Sequence, residues 1–449
     1  MIKSTITPRH KLLMMGFDLL LFICSFFAVI VIRFSDFSLN FVNAFGFWFM
    51  AAVLLVTSYI LGVYDMEATK KKEVFIRNFL SVLGALASVL VVNYLFGKER
   101  AGIFGRGVLV GAFSFFWLMS SSYRYMIWLH FQKVLTQLNY LFLCHDNNLA
   151  MLKSEFLTKT QSRSEVFLPK INKDVVVLES LLRDKLKCAW TAVILAVPQK
   201  YWSDEFSDLL MQVRFQGTQI ISVSDFLENQ LQKIPVDFLN QEWFIFEKGF
   251  TLINNPIGLR VKRLADLMLA LILLSLTWPL ILVAAILIKL ESPGEVFYRQ
   301  VRTGLNDQDF TIFKLRSMKK NAEMNGAQWA SQGDTRVTLV GKWIRLTRID
   351  ELPQLWNVIR GDMSFIGPRP ERPEFNVDLE KKIPFYRLRH MVRPGITGWA
   401  QVMYPYGASV EDSKQKLQFD MYYIKNFSFL LDFIIVLKTI RVVIFGKGR

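Results

Sequence analysis

Cysteine is scarce: the 449-residue chain has three, Cys24, Cys144 and Cys188, far apart, so a disulfide framework has no basis. Histidine is nearly as rare, and His10, His130, His145 and His390 show no paired-ligand spacing, which argues against a zinc site. Acidic residues are also outnumbered, with 38 Asp and Glu against 54 Lys and Arg for a net charge of +16. Charged residues make up only 20% of the chain and apolar ones 52%. That balance excludes a disordered chain and leaves room for two or three domains. The apolar residues fall in blocks.

Residues 12–32 form the first block, interrupted by Asp18 and bracketed by Lys11 and Arg33. Its length suits a helix that crosses a bilayer core. Three more blocks follow at about 41–64, 79–96 and 107–128, with Phe, Trp and Tyr near their ends as membrane interfaces favour. Four spans over residues 1–137 are expected. A cleaved signal peptide fits less well, because the first block exceeds a signal h-region, lacks a small-residue cleavage site and is followed by further spans. Lys3, Arg9, Lys11, Lys70, Lys71, Lys72 and Arg77 would share one side, which the positive-inside bias makes cytoplasmic, although Lys98, Arg100 and Arg106 oppose that assignment.

Over residues 138–256 the long blocks give way to short β-rich runs at 140–143, 175–178, 192–197 and 219–223, alternating with helix-like stretches such as 204–215. The pattern predicts a small Rossmann-like α/β domain with parallel strands. The first strand runs into Cys144, His145, Asp146 and Asn147, where a dinucleotide site needs glycines for close backbone approach. A spacer or regulatory role is therefore expected in place of nucleotide binding.

Residues 264–288 are apolar again, with Asp266 near the start and Pro279 beyond the middle. Both flanks are basic: Arg260, Lys262 and Arg263 before, Lys289, Arg299 and Arg302 after. Symmetric positive flanks place both ends on one side, and an interior proline removes a helical hydrogen bond. A re-entrant helix-break-helix bent at Pro279 is expected, against the simpler alternative of a kinked spanning helix.

Residues 256–449 hold 29 Lys and Arg against 18 Asp and Glu, so an anionic partner belongs to this part of the chain. Within it Asp350-Glu351-Leu352-Pro353-Gln354-Leu355-Trp356 places two adjacent carboxylates at a helix start, since proline is tolerated in a first helical turn. Unpaired N–H groups there favour negative charge, including phosphate. Adjacent side chains diverge, so one carboxylate can face a phosphorus atom while its neighbour holds a divalent cation. A capping Asp followed by a solvated Glu is the plainer alternative. Three Arg- or Lys-bearing segments favour the former: Lys314-Leu315-Arg316, Gly367-Pro368-Arg369-Pro370 and Arg393-Pro394-Gly395-Ile396-Thr397-Gly398. Stiff loops with guanidinium forks suit a diphosphate.

The Asp-Glu-Leu-Pro-Gln-Leu, Gly-Pro-Arg-Pro and Arg-Pro-Gly-Ile-Thr-Gly strings, in that order after a re-entrant helix, resemble the bacterial sugar transferase family of polyprenyl-phosphate hexose-1-phosphate transferases. The layout of spans, spacer and residues 257–449 is similar to the large monotopic phosphoglycosyl transferases that initiate exopolysaccharide, capsule or O-antigen synthesis. The resemblance implies a mixed, mainly α catalytic domain facing the cytoplasm at a bacterial inner membrane. It further implies transfer of a sugar-1-phosphate from a UDP-sugar to undecaprenyl phosphate through an aspartyl-phosphosugar on Asp350, with UMP released. Glu351 would then hold Mg²⁺, and Lys314, Arg316, Arg345, Arg369 and Arg393 would contact phosphate or nucleotide. One departure is Thr277-Trp278-Pro279, where the family usually has Ser-Pro at the helix break.

Residues 427–445 are apolar but carry Asp432, Lys438 and Arg441, which suits an interfacial amphipathic helix against membrane lipids, with core packing as the alternative. The spacer and the bundle offer surfaces for a homodimer. A non-catalytic membrane scaffold is the alternative function. Nucleic acid is not an expected partner, because no helix-turn-helix or stacking platform accompanies the basic charge.

Overall fold

The computed structural model describes residues 8–35, 42, 45–64, 71–96, 105–137, 139–144, 163–167, 171–172, 175–176, 184–186, 188, 190–197, 199–239, 241–250, 255–319, 336–404, 407 and 409–445. The loop of Lys98 and Arg100 and the turn at 145–147 lie outside them. Two compact units divide the chain, Met1–Phe226 and Leu227–Arg449.

The first unit opens with α1 (Pro8–Phe34), α2 (Phe45–Ile60), α3 (Lys71–Phe96) and α4 (Arg106–Gln137). Their common core is aromatic, with Phe22, Phe26, Phe47, Phe113 and Phe116 fully buried. Phe22 meets Phe26 edge-on at 5.0 Å and Phe113 at 5.3 Å, an arrangement that aromatic quadrupoles prefer.

Among the described residues, Lys11–Phe34 and Pro256–Glu291 are long and apolar enough to cross a membrane. The expected count of four spans is therefore met on length and hydropathy by α1 alone within this bundle. The 16 residues of α2 extend about 24 Å, short of a ~30 Å hydrocarbon core. In α4 the polar run Ser120, Ser121, Ser122 and Arg124 lowers the hydropathy.

That polar run has a partner set inside the bundle. Asp18 accepts from Tyr64 Oη at 2.7 Å and from Tyr123 Oη at 2.5 Å, and pairs with Arg124. Asp18, Tyr64 and Arg124 are all essentially inaccessible. Asn78 Nδ2 adds bonds to Ser120 Oγ and Ser121 Oγ at 3.0 and 2.8 Å. Buried charge is tolerated only when paired and hydrogen-bonded.

The sheet of this unit comprises β1 (Asn139–Cys144), β2 (Arg163–Phe167), β5 (Ala192–Ala196) and β6 (Gln219–Ser222) in the order β2-β1-β5-β6, all parallel. Three of the four strands match the expected runs. The expected strand at 175–178 differs: β4 (Val175–Val176) pairs antiparallel with β3 (Ile171–Asn172) outside the sheet. An edge of the sheet is β2, whose polar Arg163, Ser164 and Glu165 form no apolar run. The helix expected at 204–215 is α5 (Asp204–Phe215), capped by Ser203, whose hydroxyl accepts from Phe206 N at 3.1 Å.

Helix α6 (Val223–Leu231) straddles the division between the units. The second unit begins upstream of residue 257 because the chain through α7 (Gln241–Phe246) is bound to it. Ile234 N donates to Gln418 O and Trp399 Nε1 to Gln232 O, both at 2.9 Å. Lys425, only 6% exposed, bridges Glu228 and Glu247 at 2.7 and 2.9 Å.

Helix α8 (Pro256–Glu291) is the longest element of this unit at 36 residues. Asn255 caps it by accepting from Gly258 N at 2.8 Å, and Pro256 occupies the first turn. The expected break does not appear as an interruption, because the residues remain helical through Pro279. Pro279 lacks the N–H that would bond Ser275 O, but the flanking ladder holds, and Thr277 Oγ1 adds a bond to Leu273 O at 2.7 Å.

Only the two ends of α8 are buried. Gly258, Lys262, Asp266 and Ala270 recur every four residues on one face, and Ala284 and Ile288 return near the far end. Between them Leu276, Trp278 and Leu280 stand exposed. At the first end Lys262 Nζ meets Asp432 Oδ2 at 2.8 Å, and Asp266 accepts from Ser364 Oγ at 2.6 Å. At the other end Arg316 Nη2 donates to Ser292 O at 2.8 Å, and Glu291 Oε1 accepts from Leu339 N at 2.7 Å.

The remaining elements build a mainly helical domain around a hairpin of β7 (Phe297–Thr303) and β8 (Asp309–Leu315). They are α9 (Leu339–Leu346), α10 (Gln354–Arg360), β9 (Ser364–Ile366), α11 (Pro373–Lys382), β10 (Gly395–Thr397), α12 (Trp399–Met403), α13 (Val410–Lys425) and α14 (Phe429–Phe445). Strands β9 and β10 pair in parallel. Helix α14 is two-faced: Leu431, Ile434, Ile435 and Leu437 are buried, while Phe429, Phe433, Ile440 and Val443 are exposed.

Arg124→Gln is expected to lower the unfolding temperature of the detergent-solubilised protein more than the double change Asp18→Asn with Arg124→Gln. A lone buried carboxylate costs several kcal/mol (about 3–5), whereas a neutral pair restores much of that.

Candidate functional site

Three pieces of chain converge beside β8. Arg348, in the left-handed region at φ 59°, turns the chain out of α9 into a 3₁₀ turn, Ile349–Glu351. Pro353 and α10 follow, as the helix-start reading requires. Asn357 of α10, fully buried, accepts from Phe313 N at 3.1 Å and donates to Thr311 O at 2.7 Å. This one side chain ties α10 to β8 and brings Lys314 against Glu351.

The two carboxylates have different surroundings. Glu351 Oε1 accepts from Arg369 Nη2 at 2.6 Å and Lys314 Nζ at 3.0 Å, and lies 3.8 Å from Arg348 Nη1. Burial opposes its ionisation, but Arg369 and Lys314 outweigh burial and hold the carboxyl well below the usual glutamate range. Burial pushes the Lys314 ammonium down, against the pull of Glu351. Asp350 is equally buried at 8% exposure and makes no hydrogen bond or ion pair with any described residue. Burial, then the Glu351 charge, push its carboxyl up to about 6.

Asp350, Glu351, Lys314, Arg345, Arg348 and Arg369 line one cavity of ≈ 2010 Å³. Its apolar wall includes Leu273 and Ile286 of α8 and Val442 of α14. The cavity thus joins a cationic, carboxylate-bearing floor to a wall made by apolar helices.

Not every expected residue serves this floor. Arg316 lines the cavity, but its guanidinium is bound to Ser292 O, Ser292 Oγ and Pro293 O, strapping the end of α8. Arg345 Nε donates to Ser317 Oγ at 2.9 Å. Arg393 lies away from the cavity lining, where its Nε donates to Gly361 O at 3.1 Å and holds the end of α10. Arg348 and Asn357 escaped the sequence reading. Arg348 lies two residues before Asp350, but its left-handed backbone has no sequence signal in a non-glycine residue.

Among the described residues, three metal-ligating side chains cluster at Asp307, Glu380 and His390, none of which lines the cavity. Asp307 is already bonded to His390 Nδ1 at 2.6 Å and to Arg387. At the pair itself, Asp350 and the second oxygen of Glu351 carry no partner among the described residues. That donor set fits Mg²⁺, which binds through one or two carboxylates together with substrate phosphates and water.

Residues 257–446 match the bacterial sugar transferase family. Over 214 residues the chain is 42% identical to the UDP-glucose:undecaprenyl-phosphate glucose-1-phosphate transferase of Caulobacter vibrioides, covering 47% of this chain and 80% of that one. The chain belongs to the bacterial sugar transferase family. Within that family it is 44% identical over 259 residues to the UDP-N-acetylgalactosamine-undecaprenyl-phosphate N-acetylgalactosaminephosphotransferase of Aeromonas hydrophila, covering 58% of this chain and 60% of the relative. A third family member, the UDP-glucose:undecaprenyl-phosphate glucose-1-phosphate transferase of Xanthomonas campestris pv. campestris, is 45% identical over 185 residues, which cover 40% of this chain and 38% of the relative.

Carbodiimide coupling requires a protonated carboxyl. At Asp350, peptide mass spectrometry is expected to show an approximately tenfold rise between pH 7 and pH 5, as the group titrates near 6. At Glu351 coupling should stay flat over the same interval.

Proposed function

We propose that the protein transfers a sugar-1-phosphate from a UDP-sugar to undecaprenyl phosphate, giving undecaprenyl-diphosphate-sugar and UMP. The observation that carries this reading is the unpaired Asp350 carboxylate facing the cavity beside a Glu351 clamped by cations. A nucleophile needs free lone pairs, and a phosphoryl group needs positive charge around it. Asp350 supplies the first, and Lys314, Arg348 and Arg369 the second.

In the first step an Asp350 oxygen bonds to the sugar-bearing phosphorus and the phosphorus–oxygen bond to UMP breaks, so UMP leaves with that electron pair. In the second step a phosphate oxygen of undecaprenyl phosphate attacks the same phosphorus, the bond to Asp350 breaks, and the carboxylate is restored. Two bulky substrates thus use one floor in turn. Glu351 would hold Mg²⁺ through its unpaired oxygen, and the ion would neutralise phosphate charge.

Helix α8 supports a membrane arrangement. One folded unit grips both ends of this helix while its exposed apolar middle lies between them. A helix that crossed the bilayer would separate Asp266 and Ile288 by about 33 Å and carry one set of grips to the far side. We therefore read α8 as re-entrant, bent without loss of helical structure, with the four-helix bundle spanning the inner membrane and the cavity at its cytoplasmic surface. Apolar α8 and α14 would present the lipid acceptor to the floor.

Relatives of this chain are named for UDP-glucose and for UDP-N-acetylgalactosamine, so the donor is sought among UDP-hexoses by direct test. Purified protein with undecaprenyl phosphate and Mg²⁺ is expected to release UMP from at least one UDP-sugar of a panel, and Asp350→Asn to release none above background. Equal release by both proteins removes Asp350 from the chemistry.

A further inference from the structure

The loop that presents Arg369 is unusual in how it is held. Pro368 and Pro370 have no N–H, so its backbone offers mainly carbonyl groups as handles. Each of four consecutive carbonyls has its own donor: Gly395 N for Pro368 O at 2.8 Å, Arg389 Nη2 for Arg369 O at 2.9 Å, Arg302 Nη1 for Pro370 O at 3.1 Å, and Thr303 N for Glu371 O at 3.0 Å. Of these donors, Arg389 is the most deeply committed. It is 4% exposed, and its Nη2 also meets Asp420 Oδ2 at 2.9 Å while Nη1 donates to Tyr386 Oη at 2.6 Å. Asp420 and Tyr386 are each 1% exposed.

We infer that Arg389, held by Asp420, is a positioning residue that fixes the Arg369 backbone so that the Arg369 guanidinium meets Glu351. The chain of contacts runs Asp420, Arg389, Arg369, Glu351, with every link at 2.9 Å or less. Arg389 does not line the cavity, so no substrate reaches it. A buried ion pair is costly to form, and leucine-like packing would serve stability as well or better. What an apolar pair cannot do is donate to the Arg369 carbonyl.

This inference rests on the transferase reading. It predicts that Arg389 acts only through Arg369, which a double-mutant cycle measures. The readout is UMP release without lipid acceptor, as a first-order rate at saturating UDP-sugar and as the half-saturating concentration. Arg389→Gln is expected to lower the rate by about tenfold to a hundredfold, the penalty of a misplaced group, with half-saturation moving by less than about threefold. In an Arg369→Lys background the same change should cost less than about threefold.

Losses that multiply in the two backgrounds overturn the inference, and so does a rise in half-saturation with the rate unchanged. If Arg389→Gln does not fold, judged by thermal unfolding, Asp420→Asn carries the same prediction through the same cycle. Absence of UMP release from the unaltered protein strikes the transferase reading instead, which separates the two failures.

Discussion

The site depends on how three basic side chains divide two neighbouring carboxylates. Lys314 and Arg369 take one oxygen of Glu351, with Arg348 close by, and in doing so they leave Asp350 buried, unbonded and facing the cavity. Either carboxylate alone would be unremarkable at a helix start. Side by side in low dielectric they could not both ionise cheaply, and the cations resolve the conflict by holding Glu351 charged while Asp350 stays near the point of titration. In the proposed transferase, reactivity would be assigned by the partners each carboxylate has.

The fold supplies those partners from distant parts of the sequence. Asn357 joins α10 to β8, Arg316 ties β8 to the end of α8, and Lys262 and Asp266 tie the start of α8 to Asp432 and Ser364. The unit that positions Lys314 and Glu351 therefore also holds both ends of the apolar helix. The cavity floor and the apolar helix thus belong to one packed unit.

Much of this was legible in the amino-acid order, and the exceptions have physical reasons. Asp350, Glu351, Lys314 and Arg369 were legible because their strings combine charge with proline and glycine, which restrict the backbone locally. Arg316 and Arg393 shared that appearance, yet their guanidinium groups bind backbone carbonyls, and which acceptor a fork finds is decided by tertiary packing. Strand β2 was hidden because an edge strand needs no apolar run. The bend at Pro279 was expected to interrupt α8, but proline removes one hydrogen bond of a ladder that neighbouring turns maintain. Asn357, Arg389 and Asp420 carry no local signature, since each acts through a contact made far away in sequence, and Arg348 is set apart by a left-handed backbone.

The most direct test of the central assignment is intact-protein mass spectrometry after mixing the protein with a UDP-sugar and no lipid acceptor, followed by peptide mapping. The account predicts a mass increase of one sugar phosphate that maps to Asp350 and disappears when undecaprenyl phosphate is added. Formation of product with both substrates present, but with no adduct at any time on Asp350, would contradict it.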